Sequence, residues 1–228
     1  CEKPLASDPA TATAMARACQ TANVLLAEAW MTPFDRRWAT TIELARSGAI
    51  GAVNAQHHRF TFTIGPDGDD NYRWDPTQGG GALLDVGIYC LGTAVELWGA
   101  GCEVDAVHRT MTPRGVDATT VADLVWPGDR RAQITCSFID DEHQQASFHS
   151  ADATLLLERA AFTSGDELDH VIVRSGSRQD LPALALDPYG PRSELTPAAD
   201  ASGPEHERVE RFSVEPGDPY QGEIAFTD

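Results

Sequence analysis

The stretch GGGALLDVGIYCLGTAVELWG, residues 79–99, sets an acid, Asp85, four residues before a phenol, Tyr89. On a helix that spacing puts both side chains on one face. The pair suits a substrate with neighbouring hydroxyls, where one group orients and the other takes a proton. A free phenol, with a pKa of about 10, is a poor base at neutral pH. A cation within several ångströms favours the phenolate. Of the 17 basic residues sixteen are arginines, and the single lysine is Lys3, in CEKP. Lys3, Asp85 and Tyr89 are the catalytic candidates. The competing explanation is structural: Asp85 as a helix cap, Tyr89 as a half-buried ring, Lys3 as a solvated charge.

Other chemistries find less support. His57 and His58 point to opposite faces of a strand, and His143 and His149 have no third ligand nearby, so no metal site is expected. The five cysteines are odd in number, widely spaced and without C-x-x-C, which argues against a disulfide framework or a zinc site. Cys90 and Cys136 lie in apolar patterns and read as small core residues. The sequence contains no G-x-S-x-G, P-loop or H-E-x-x-H, and no G-x-G-x-x-G after a strand.

The elements that must position these residues follow from pattern. Asp8 and Pro9 open a helix, and VLLAEAW, from Val24, reads as a buried strand. Together they form one unit of a parallel α/β sheet whose remainder lies outside this chain. A second helix runs over residues 34–48, with Gly48 as its C-terminal cap. AVNAQHHRFTFTI is a long strand. The glycine-led stretch is a helix from about Ala82 to Trp98. Six further strands follow, at residues 102–112, 118–126, 131–139, 144–150, 153–159 and 170–175, and PGD makes a hairpin turn between the second and third. Apolar and polar residues alternate along them, which predicts a sheet with one dry and one wet face. Residues 175–219 read as irregular loops with at most one edge strand, and the chain stops at the start of a helix. The fold class is α+β: a remnant of a parallel α/β unit, then a large, open-faced, mainly antiparallel sheet covered on one face by helices.

Composition limits the partners. A hydrophobic content of 42% and a charged content of 23% are ordinary for a globular protein. The net charge of −18 argues against nucleic acid, which needs a basic surface. No apolar run reaches the roughly 18 residues of a membrane span, and no signal-peptide pattern opens the chain. No membrane partner and a cytoplasmic location are expected.

CEKPLA at the start, EAWMTPF some two dozen residues later, and RWDP followed by GGGALLDVGIY together resemble the Gfo/Idh/MocA oxidoreductases. GVDATTVADLVWPGDRRAQITCSF and ATLLLE also look like this family's sheet. The resemblance implies a Rossmann domain before E-K-P and an α/β substrate domain after it. It assigns residues 1–30 to the end of the dinucleotide-binding domain. Residues 31–228 become a substrate-binding and oligomerisation domain, incomplete at its C-terminus. By the same resemblance Lys3 stands between nicotinamide ribose and substrate, Asp85 binds a substrate hydroxyl, and Tyr89 is the acid/base. A tyrosine there places the chain in the branch similar to glucose–fructose oxidoreductase, xylose dehydrogenase and dihydrodiol dehydrogenase. Glu2, Lys3 and Pro4 are the implied cofactor contacts, and Glu28, Trp30, Arg73 and Asp85 the substrate contacts. The implied cofactor is NAD or NADP, and the implied substrate a sugar, polyol or cyclic diol. The chain alone is expected to be inactive. The alternative is a non-catalytic sugar-binding or dimerising module. Either way the open sheet face is expected to serve a homo-oligomer.

Overall fold

The computed structural model describes residues 1–65, 71–163, 169–176 and 207–214. Helix α1, Pro9–Ala22, begins where Asp8 accepts a hydrogen bond from the Thr11 amide, and ends at Asn23 in the left-handed conformation. Helix α2, Arg36–Ser47, is capped by Asp35 and closed by Gly48 at φ 76°. Both starts follow the capping rule that the sequence obeys. Helix α3 is Ile88–Trp98.

The eight strands among the described residues are β1 Ala55–Thr63, β2 Glu103–Met111, β3 Asp117–Trp126, β4 Arg130–Ser137, β5 Ile139–His149, β6 Ala153–Leu157, β7 Asp169–Gly176 and β8 Glu207–Val214. They form one sheet in the order β2-β3-β4-β1-β5-β6-β7-β8. β1 lies parallel to β4 and every other pairing is antiparallel. The single parallel pair arises because β1 enters the centre of the sheet before the meander is built around it. β8 is the one edge strand expected in the loop-rich region. The rest of that region, and the helix expected at the C-terminus, fall outside the described residues.

Alternation sorts the faces. In β3 the side chains from Ala118 to Trp126 alternate strictly, the even positions being buried. Ile134, Cys136, Phe138, Phe148, Leu155 and Leu157 join them beneath α2 and α3. Trp38 anchors α2, packing on Phe148 at 5.9 Å and donating its indole N–H to Glu96 of α3 at 2.6 Å. Arg37, almost fully buried, donates to the carbonyls of Arg159 (2.7 Å) and Ala160 (2.5 Å) and fixes the chain after β6. The opposite sheet face is polar: Gln133 donates to Asp123 at 2.9 Å, and the His57 and His149 rings lie 5.0 Å apart. Cys90 and Cys136 are fully buried core residues.

One expected element is absent. Residues 24–30 form no strand, and Val24 and Leu25 are 56% and 66% exposed. Only Glu2 and Ala29 make a parallel bridge. An apolar run becomes a buried strand when neighbours cover it, and the described residues supply none. Helix α1 likewise buries no residue, so its Met15–Ala18–Cys19 stripe contributes nothing to this core. The segment Pro76–Trp98 has the length and hydropathy of a membrane span, although the sequence reading found no apolar run of that length. Half of it is buried within the protein, and α3 lies against the sheet as a core helix.

His58 carries a pH consequence. Its ring is buried against Phe148 and Phe162 and hydrogen-bonds Gln56 at 2.9 Å. Burial, reinforced by the charges of His57 and His149, lowers its pKa from 6.5 to about 3. Between those values the unfolded chain holds the proton and the folded chain does not. Stability therefore falls as pH drops through this window, by about 1.4 kcal/mol per pH unit from this group. Urea midpoints measured between pH 7 and pH 4 should show the slope, and His58→Gln should flatten it.

Candidate active site

The three glycines shape the loop that leads to the site. Gly79 is left-handed at φ 74°, closing the short turn Pro76–Gln78. A Cβ on Gly80 would lie 2.6 Å from the Arg73 carbonyl oxygen, 2.7 Å from that of Tyr72 and 2.8 Å from that of Asp75. Gly81, at φ 117°, lies against the Asp117 carboxylate. The close approach is thus to the chain's own backbone at Gly80 and to its own Asp117 side chain at Gly81. Gly80→Ala should push the loop that carries Arg73 off the helix. A fall of about 1–3 kcal/mol in unfolding free energy is expected, from overpacking against backbone that cannot yield; a denaturant titration checks it.

Asp117 accepts hydrogen bonds from the Leu83 amide (2.9 Å) and the Thr120 hydroxyl (2.6 Å), so β3 holds the start of the helical segment. Leu83–Gly87 is a π-helical turn that runs straight into α3. The expected helix is therefore one body with a wide first turn, a feature common at functional sites. Asp85 lies in that turn and is 6% exposed.

Lys3 reaches this turn from the N-terminal segment. Its ammonium donates to the Asp85 carbonyl at 2.6 Å and to Asp85 Oδ1 at 3.0 Å. Arg73 Nε donates to Asp85 Oδ2 at 2.5 Å. The Tyr72 hydroxyl is 3.4 Å from Oδ1. One carboxylate thus ties together two cations and a phenol from two other parts of the chain. A carboxylate has about four acceptor sites, so Asp85 keeps capacity for a substrate hydroxyl.

Lys3 Nζ also stands 5.0 Å from the centroid of the Tyr89 ring. Tyr89 is held from behind by Phe60, edge-on at 5.4 Å, and by Phe162 at 6.4 Å. Its ring is buried, and it lines a cavity of about 550 Å³ together with Lys3, Arg73 and Asp85. That volume is typical of small-molecule sites, roughly 300–1,000 Å³. Aromatic Phe60 and Phe62 of β1, and Asp141, Glu142 and Gln144 of β5, complete its walls. The arrangement offers a buried phenol beside a lysine cation, next to a carboxylate with fixed orientation. Those are the parts needed to take a proton from an alcohol.

The other residues named from sequence divide. Arg73 reaches the cavity. Glu28 accepts the Leu5 amide at 2.6 Å, and so braces the segment that carries Lys3. Trp30 lies against Gly92 of α3, where a Cβ would fall 2.7 Å from its ring. Neither Glu28 nor Trp30 lines the cavity. Glu2 is exposed and bridges Ala29, and the Lys3–Pro4 peptide is cis. Tyr72, Glu142 and Gln144 were missed. Tyr72 immediately precedes RWDP, and burial, then the Asp85 charge, pushes the pKa of its hydroxyl up. The β5 residues carry no motif, and only the sheet order brings them to the site. Among the described residues no group of three His, Cys, Asp or Glu side chains could hold a metal ion.

A mixed open sheet with two covering helices and this cluster at their edge is the architecture of a GFO/IDH/MocA C-terminal domain. The chain belongs to that family: residues 38–155 match the GFO/IDH/MocA C-terminal domain. It is 29% identical over 224 residues to D-xylose 1-dehydrogenase (NADP(+)) 2 of Haloferax volcanii, covering 98% of this chain and 59% of that protein. A 3-ketoreductase from Actinomadura kijaniata, solved with NADP and TDP-benzene, superposes with a TM-score of 0.77 at 24% identity, over 99% of this chain and 60% of that one. An aldose-aldose oxidoreductase from Caulobacter crescentus, complexed with glycerol, does so with a TM-score of 0.69 at 25% identity, over 84% of this chain and 56% of that one. The chain spans about 60% of the length of these proteins.

Proposed function

We propose that the chain is the catalytic substrate domain of an NAD(P)-dependent oxidoreductase that moves a hydride between nicotinamide and a sugar, polyol or cyclic diol. The observation that carries this reading is the meeting of Lys3, Asp85 and Tyr89 on one cavity, 82 residues apart in sequence at its widest hydrogen bond. In this reading residues 1–30 end a dinucleotide-binding domain and residues 31–228 form the substrate domain. The exposed Val24 and Leu25 and the unburied α1 support that division.

The residues fit one end of a nicotinamide cofactor. Lys3, flanked in sequence by Glu2 and Pro4, lines the cavity where the reactive ring would meet substrate, and no phosphate-cradling glycine motif accompanies them. When bound, that cofactor supplies the hydride acceptor or donor. The chain's own residues do the rest. Tyr89 takes the hydroxyl proton of an alcohol substrate, or returns it to a ketone. Lys3 keeps a positive charge beside the phenol, so the deprotonated form is favoured as the proton leaves. Asp85 and Arg73 orient the neighbouring hydroxyl. The NADP named for the xylose dehydrogenase favours NADP as partner. The polar open face of the sheet supports a homo-oligomer, and a cytoplasmic setting suits the cofactor.

The test is turnover by the full-length protein with NADP or NAD and a panel of aldoses, polyols and cyclic diols. Cofactor reduction with at least one of them is expected. A protein that binds sugar yet reduces neither cofactor would be the non-catalytic module instead.

A further inference from the structure

Strand β5 supplies part of the cavity wall, through Asp141, Glu142 and Gln144. β5 pairs with β1 from Ala55↔His149 to Thr61↔His143, and pairing resumes at Thr63↔Ile139. Residues 140–142 therefore oppose Phe62 alone, as a bulge in β5. Two hydrogen bonds fix it: Thr61 Oγ1 donates to the Asp141 carbonyl at 2.6 Å, and Thr63 Oγ1 to the Asp140 carbonyl at 2.8 Å. Bulges re-aim side chains next to active sites. This one brings Asp141 and Glu142 to the cavity, whereas Asp140 faces Arg59 at 3.8 Å.

Charge decides what can bind there. Among the described residues the cationic side chains lining the cavity are Lys3 and Arg73, and both are engaged by Asp85. Two carboxylates, Asp141 and Glu142, are then in excess, and neither has an ion-pair partner among the described residues. Gln144 spends its Oε1 on the Phe162 amide (3.3 Å) and the Thr163 hydroxyl (3.0 Å), which leaves its amide hydrogens as donors. Phe60 and Phe62 supply an apolar face between them. Carboxylates accept hydroxyl hydrogens and repel phosphate and carboxylate groups. An aromatic wall suits the C–H face of a saturated ring.

We infer that the substrate is a neutral free sugar or cyclic polyol, and that Glu142 is a specificity-determining residue that accepts hydroxyls remote from the reacting carbon. Nucleoside-diphosphate-linked sugars and sugar acids are excluded by the same wall. This rests on the hydride-transfer reading and narrows it.

The experiment measures kcat and KM of the full-length protein with D-xylose, D-glucose, a dTDP-linked hexose, D-glucuronate and a cyclohexadiene trans-diol, for the native protein and for Glu142→Gln and Glu142→Ala. A neutral sugar should give kcat/KM at least 100-fold above the dTDP-sugar and the uronate. Both variants should raise KM for that sugar tenfold or more, with a smaller change in kcat, and both should relax the rejection of glucuronate. Gln, which keeps the shape and one acceptor, should lose less than Ala. Preference for the dTDP-sugar, or an unchanged sugar KM in both variants, overturns the inference while leaving hydride transfer intact. Preference for the diol, which has too few hydroxyls to need Glu142, overturns it as well. No turnover with any compound and either cofactor removes both readings together.

Discussion

Tyr89→Phe in the full-length protein should lower kcat by about 10²–10⁴-fold, the range typical of losing a general acid/base, and leave the cofactor dissociation constant unchanged. The substitution removes one oxygen and keeps the ring. Its packing against Phe60 and Phe162 survives, so the unfolding midpoint should move little. Loss of rate with no loss of stability is the signature of a proton acceptor rather than a core aromatic. Steady-state kinetics and a thermal unfolding curve on the same preparation separate the two. A near-normal rate would make Tyr89 structural and send the search for a base to Tyr72, whose hydroxyl lies 3.4 Å from Asp85.

Asp85→Ala should cost both activity and stability. The carboxylate accepts from Lys3, Arg73 and the Tyr72 hydroxyl. Removing it leaves two cations side by side at a partly buried wall. Lys3 and Arg73 keep 16% and 30% of their side chains exposed, so water relieves part of the penalty. A loss of about 1–3 kcal/mol in unfolding free energy is expected. The fall in kcat/KM should be larger, about 10²–10³-fold, because the substrate loses the carboxylate that orients it and Lys3 keeps only its bond to the residue 85 carbonyl. Asp85→Asn keeps the shape and two of the acceptor sites. It should recover much of the stability and little of the rate. Equal recovery of both would reduce Asp85 to a structural pin.

The legible part of this protein lies where chemistry is local. The caps at Asp8 and Gly48 are set by two or three neighbouring residues and are present as expected, whereas Asp35, inside the helix expected over residues 34–48, is its N-cap. Alternation in β3 and β4 reports burial directly, because a strand has a dry and a wet side. Lys3 stood out through composition, and Asp85 with Tyr89 through spacing. Context decided the rest. VLLAEAW has the composition of a buried strand, but burial belongs to its neighbours. Three consecutive glycines mark a close approach without naming what is approached, and at Gly80 it is the carbonyls of its own loop. Glu28 and Trp30 lie near Lys3 in the fold, yet they brace its segment and α3 instead of entering the cavity. Glu142 and Gln144 lack any motif. They reach the site because β5 pairs with β1 across some eighty residues, a contact that no local pattern encodes.

The measurement that bears most directly on the central claim is a crystal structure of the full-length protein with cofactor and a neutral sugar substrate. The account predicts the reacting hydroxyl within hydrogen-bond distance of both the Tyr89 hydroxyl and the Lys3 ammonium, with Asp85 on an adjacent hydroxyl. A sugar held elsewhere, with its reacting carbon out of reach of Tyr89 and Lys3, would contradict it.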